Sequence, residues 1–183
     1  MLGKALFSIF IASFCGFISP VKADSWRDIE DLEELIQSTG TKITRSQDCK
    51  KNTLGHYTFS KESNTDSLVI CMNNIDENDP SSYWEVLAHE SAHVMQACMN
   101  DEPIYKPNYH PRILRSLKQN APHLAEFLNE YRGAARLKEM EAFDMELKTP
   151  KEVKDNFTYF CIDNNPNNDD FSDQEISKLK NLL

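Results

Sequence analysis

The chain has 183 residues, 20 of them basic and 29 acidic, with a formal net charge of −9. That length suffices for one domain with a sizeable core. The acidic balance argues against nucleic acid and against anionic membrane surfaces as partners.

Residues 1–23 read as a secretory signal peptide. Lys4 gives a basic start, Ala5 to Ile18 an apolar run, and Val21-Lys22-Ala23 a cleavage site after Ala23. The run is short for a membrane span. Removing Lys4 and Lys22 leaves 18 basic residues against 29 acidic, a mature charge of −11. Residues 24–183 are then expected to form a single domain, secreted or periplasmic, with no stable membrane association. That domain keeps four cysteines, Cys49, Cys71, Cys98 and Cys161. An even count in an exported chain reads as two disulfides. Three pairings are possible, and the sequence does not choose among them.

Asp24 to Thr39 reads as a helix, with Ile29, Leu32, Leu35 and Ile36 at helical spacing. Ser25 can cap its start and Gly40 can end it. Residues 41–55 are polar and loop-like. His56–Ser60 and Ser67–Met72 look like two strands of a hairpin, joined by the polar run "KESNTD". Asn73 to Ser82 is a loop. Ser82 with Glu85 suggests a capping box for a helix from Tyr83 to Asn100. Residues 101–111 hold three prolines and read as irregular. Pro111 opens a helix to Gln119. After Asn120 and Pro122 a long helix is expected to Leu147, stopped by Pro150. The tail "DNNPNNDD" lacks the glycine of a calcium loop. Ser172 with Glu175 suggests a last short helix carrying Ile176, Leu179 and Leu182. The sum is an α+β fold, mostly helical, with a small antiparallel sheet.

The chemistry concentrates in residues 87–96, "LAHESAHVMQ". His89 and His93 are four apart on one helix face, so their imidazoles can share one small cation. Glu90 is rotated from His89 by about 100° and can reach a water on that cation. A zinc hydrolase needs this arrangement: zinc acidifies a water and the carboxylate takes its proton. A third protein ligand is required. Residues 94–99, "VMQACM", supply no third histidine. Cysteine is expected to be tied up in disulfides. A carboxylate from the long helix is the better candidate, and Glu139 and Glu141 both border its apolar stripe of Leu124, Leu128, Tyr131, Ala135 and Ala142. An acid beside a core stripe costs desolvation unless it is paired.

"HESAH" followed about fifty residues later by "EMEAFD" resembles the zincin metallopeptidases of gluzincin type. The resemblance covers roughly residues 56–147. It implies a minimal zincin fold, with a small sheet packed on the HExxH helix and a second helix carrying a glutamate ligand. It favours Glu139, because a small residue, Ala142, follows three positions on. Phe143 then stands where the pattern has Asp or Asn, which keeps Glu141 as the alternative. Gln96, three residues after His93, is similar to the Gln of small minimal metallopeptidase-like proteins. The resemblance also implies an oxyanion donor outside the ligand set, for which Tyr109 and His110 are the candidates, with Tyr105, His123 and His56 behind them. Gln96 and Asp144 can orient the histidines. Strand 67–72 is the candidate sheet edge for an extended peptide. The expected function is an exported Zn2+-dependent metalloendopeptidase acting on a peptide or protein substrate, with Glu90 as general base. The competing readings are a catalytically inactive zinc-binding module and a disulfide-stapled interaction module.

Overall fold

A computed structural model describes residues 26–60 and 65–163. The signal peptide, the Ser25 cap, the hairpin turn at 61–64 and the helix expected after Ser172 lie outside the described residues. The described elements are α1 (Trp26–Ser38), β1 (Lys42–Ser46), β2 (Gly55–Ser60), β3 (Thr65–Cys71), α2 (Pro80–Cys98), α3 (His110–Asn120), α4 (Pro122–Phe127), α5 (Gly133–Glu146) and α6 (Pro150–Phe157). A π-helical turn, Thr158–Asp163, follows α6. The fold is α+β and mostly helical, as expected. Among the described residues no helix is long and apolar enough to cross a membrane.

The sheet has three strands in the order β1-β3-β2. β2 pairs antiparallel with β3, with Tyr57 opposite Leu68, which is the expected hairpin. β1 pairs parallel with β3, with Ile43 opposite Leu68. The sheet is therefore mixed, and the loop expected over 41–55 contains a strand. β1 escapes a periodicity reading because no apolar alternation marks "KITRS". Tertiary groups hold it instead. Arg45 donates to both oxygens of Glu33 on α1 at 2.8 Å and to the Tyr83 hydroxyl on α2 at 2.9 Å. β3 is thus the central strand, and the free edges belong to β1 and β2. The disulfides are Cys49–Cys71 and Cys98–Cys161.

α2 starts at Pro80, three residues before the expected start. Asp79 caps it by accepting the Ser81 N–H at 3.0 Å, and Ser82 donates to the other Asp79 oxygen at 3.2 Å. Proline at the first helical position fits, since its missing N–H is not needed there. The expected long helix over 122–147 is two helices. A 3-10 turn, Leu128–Glu130, ends α4, and the chain extends at Arg132. Gly133 then restarts it at φ +56°, a left-handed conformation that favours glycine. α5 ends at Glu146 with Leu147 as its cap, at the expected place, and Pro150 opens α6 under a Thr149–Glu152 capping box.

α2 is buried on nearly every side. Trp84, Leu87, Ala88, Ala92 and Met95 pack with Ile29 and Leu32 of α1, Leu68 and Ile70 of β3, and Val153 and Phe157 of α6. A second cluster joins Ile113 and Leu117 of α3, Leu124 of α4, and Met140 and Phe143 of α5. α5 takes part in both, because Ala142 and Met145 face the first cluster. Its residues 139–146 are all buried. Two buried helices, α2 and α5, therefore lie side by side at the centre of the domain. Both carry charged groups on their shared face.

Candidate metal centre

His89 and His93 project from α2 toward Glu139 of α5. Nε2 of His89 lies 3.6 Å from one Glu139 oxygen, and Nε2 of His93 lies 3.6 Å from the other. These donor atoms are all within 4.8 Å of one another. The distances exceed those of hydrogen bonds. Two ligands about 2.1 Å from one tetrahedral ion stand roughly 3.4 Å apart. Nε2 of His89 and both oxygens of Glu139 are buried without a hydrogen-bond partner. Burying such groups unsatisfied costs free energy, which a cation at their midpoint would offset. The residues fit a zinc-type ion.

The outer contacts fix which nitrogen each imidazole presents. Nδ1 of His89 sits 2.6 Å from Glu146. A carboxylate only accepts, so Nδ1 carries the proton and the Nε2 lone pair is free to point inward. For His93, Nδ1 lies 2.9 Å from the Gln96 carbonyl oxygen. The amide could flip in isolation, but its nitrogen donates to the Lys138 carbonyl at 3.0 Å and to Glu141 at 3.1 Å. Both of those partners only accept. The Gln96 oxygen must therefore face His93, which makes Nδ1 the donor and leaves Nε2 for a cation. Gln96 does what the sequence reading expected of it. Asp144 does not: it pairs with Lys148 at 2.6 Å, one turn on, and Glu146 takes the orienting role.

The structure brings Glu139, and not Glu141, to the histidines. Glu141 is fully buried and accepts four hydrogen bonds. They come from the N–H groups of Ile104 and Tyr105, each at 3.0 Å, from Gln96 at 3.1 Å and from His110 at 2.9 Å. His110 is thus held by Glu141, at the far end of a hydrogen-bond chain through Gln96 to His93. Tyr109 precedes α3 and its ring meets Tyr105. The contacts of the two oxyanion candidates are with Glu141 for His110 and with Tyr105 for Tyr109. His56 is half-buried on β2, and burial depresses its pKa. His123 is exposed on α4.

The electrostatics follow from burying two imidazoles among carboxylates. Burial alone would lower the His89 pKa, but Glu139 and Glu146 outweigh it and raise it to about 10. Burial lowers the His93 pKa, with Glu139 opposing. Glu139 is held below the usual carboxylate range, because the two histidines overcome its own burial. Glu90 moves the other way. Burial, then the nearby Glu139 and Glu146, push it up to about 8, against the pull of His89. Its carboxyl accepts the backbone N–H of Tyr57, and its Oε2 is buried with no partner.

Two neighbours of the site were not singled out by sequence. A Cβ on Gly55 would stand 2.9 Å from the Glu90 carboxyl and 2.7 Å from Val86, so β2 approaches α2 only through glycine. Tyr131, read from sequence as part of an apolar stripe, has its pKa raised by burial and then by Glu139, Glu130 and Glu90. Its ring continues a row through Phe127 and Phe143 to His89. The Tyr131 phenol is close enough to Glu139 and Glu90 for their charges to act on it.

A model of the family described as Domain of unknown function (DUF8637) matches residues 17–162. The chain belongs to that family. Comparison with curated proteins and with solved structures gave no match. The DUF8637 span takes in the three donor residues, Glu90, Gln96, Glu146 and all four disulfide cysteines.

Proposed function

We propose that the chain is an exported zinc-dependent hydrolase, a small metalloendopeptidase of zincin-like build. One observation carries this reading: His89, His93 and Glu139 converge within ligand distance of one another, with His89 Nε2 and both Glu139 oxygens buried and lacking a hydrogen-bond partner, and Glu90 stands beside them with its Oε2 buried and unpartnered. Zinc, when bound, supplies a Lewis acid that polarises a carbonyl and acidifies water. The chain's own groups do the rest. His89 and His93, oriented by Glu146 and Gln96, hold the ion with Glu139. Glu90 takes a proton from water and returns it to the leaving amine. The Tyr131 hydroxyl can donate to the developing oxyanion, a role that sequence alone suggested for Tyr109 or His110. The outer edge of β2, whose Tyr57 N–H reaches Glu90, runs past the site, where an extended peptide could pair with it. Two disulfides fit an oxidising compartment outside the cytoplasm.

A second reading is favoured by the enclosure of the site. Glu139 and His89 are wholly buried and Glu90 is 1 % exposed. Closed zinc sites are commonly structural, which suits a zinc-binding module without turnover. Metal analysis and turnover on a peptide library separate the two. Zinc near one equivalent, with hydrolysis lost in Glu90→Gln while zinc is retained, is the expected result. Zinc without hydrolysis in either protein assigns the binding module. A protein that takes up no zinc removes both readings.

A further inference from the structure

An open cavity of about 870 Å³ lies between the α2–α3 connection, the start of α5 and the π-helical turn after α6. Ile104, Tyr105, Leu137, Tyr159 and Phe160 make its apolar walls, and Lys106 and Glu102 stand on its rim. Next to it the chain is basic out of proportion to the whole. Residues 103–125 contain Lys106, Arg112, Arg115 and Lys118 and no carboxylate, in a protein of net charge −9. Arg112, Arg115 and Lys118 repeat on the outer face of α3, and all are exposed.

The chain itself supplies a segment of matching chemistry. Tyr159 and Phe160 belong to the last described turn, so residues 164–183 leave from the wall of the groove. The DUF8637 match stops at residue 162, which sets those residues apart from the family's common domain. Residues 169–175 hold Asp169, Asp170, Asp173 and Glu175 with no basic residue and with Phe171 inside the run; Lys178 and Lys180 follow it. Ile176, Leu179 and Leu182 follow at helical spacing. From Asp163 to Asp169 the chain can span up to about 20 Å, enough to turn back onto the groove.

We infer that residues 169–183 dock in this groove, apolar side chains inward and the acidic run against Lys106 and the basic face of α3. The arrangement is independent of whether the metal site turns over substrate. A groove of this size accepts two or three large side chains, and opposite charges at its rim fix the direction of docking.

Limited trypsin digestion of the full-length protein tests it, following cleavage after Lys178 and Lys180 by mass spectrometry. Docked residues are cleaved only when the segment opens. Two exposed groove positions provide the variants: Ala134→Glu fills the cavity and repels the acidic run, and Lys106→Glu reverses the rim. Each should speed cleavage after Lys178 and Lys180 by about tenfold over wild type, and Phe171→Asp should match them. Equal cleavage rates in wild type and all three variants would overturn the proposal. Protection that disappears on dilution would overturn it too, because the groove would then hold a second copy's segment.

Discussion

Glu139 and Glu141 sit two positions apart on α5, so their side chains leave the helix about 200° apart. One meets the histidine pair and the other ties down residues 104–110 and Gln96. Their alanine variants should fail differently. Glu139→Ala removes a ligand and should abolish stoichiometric zinc. Glu146→Ala leaves the ligands but frees the His89 ring, and should cost about 10–100-fold in zinc affinity. Glu141→Ala strands buried donors and should cost about 3–5 kcal/mol of stability. Competition with a coloured chelator and thermal unfolding read these effects, and a folded Glu141→Ala that loses as much zinc as Glu139→Ala would sink the assignment. Acidity separates the metal-free and zinc-loaded forms. His89 is raised to about 10 and Glu90 to about 8, so each holds its proton more tightly folded than unfolded. Such groups stabilise fully below their unfolded pKa, and that stability is lost as pH rises through the folded value. Metal-free protein should therefore lose stability as pH rises from about 4.5 to about 8 through Glu90 and from about 6.5 to about 10 through His89, while zinc, which competes with the His89 proton, should bind more tightly as pH rises over the His89 range. Melting curves with and without chelator should diverge as pH rises; parallel curves would mean that no ion uses His89. The i, i+4 histidines and Glu90 were legible in sequence because the chemistry dictates their spacing. The choice between Glu139 and Glu141 was not. A stripe drawn from Leu124 to Ala142 assumes one continuous helix, and the break at Arg132–Gly133 resets its phase.

At the scale of elements, α2 was readable because its second turn onward is apolar, and the hairpin because its strands alternate about a polar turn. β1 and α6 were missed for opposite reasons. β1 has few apolar residues and is held by Arg45, Glu33 and the ladder to β3. α6 has a Thr-Pro-Lys-Glu start that is legible as a capping box, but proline after a helix signals a stop as readily as a start. The contact of β2 with α2 makes a prediction of its own. Gly55 is needed for space, since its neighbours Val86 and Glu90 already press on it. Gly55→Ala should force β2 outward, costing about 1–3 kcal/mol. It should also disturb the Tyr57 N–H contact that holds Glu90. Zinc binding, which depends on α2 and α5 alone, should change little while hydrolysis falls. A variant with wild-type stability would show that the strand approaches less closely than described.

At the scale of the molecule, the buried apolar side chains of the described residues fall into two clusters. One gathers α1, the sheet, α6 and the inner face of α2; the other gathers α3, α4 and part of α5. The candidate metal centre lies where they meet, with two donors from α2 and one from α5. A bound ion would link the clusters, whereas the metal-free centre leaves both Glu139 oxygens and His89 Nε2 without hydrogen bonds in their shared interface. Cys98–Cys161 covalently ties the end of α2 to the turn after α6, but both ends of that bridge pack in the first cluster. With an ion bound there, the α3–α5 half would depend on it more than the sheet does. Zinc at a hundredfold its dissociation constant should add about 2.7 kcal/mol. For a domain of this size that is about 5–10 °C in melting temperature. Hydrogen exchange should place most of that gain in α3, α4 and α5, with little in β3 or α1. Uniform protection would make the ion a global ligand of one cooperative unit, and no change on chelation would show that the cluster of His89, His93 and Glu139 holds none.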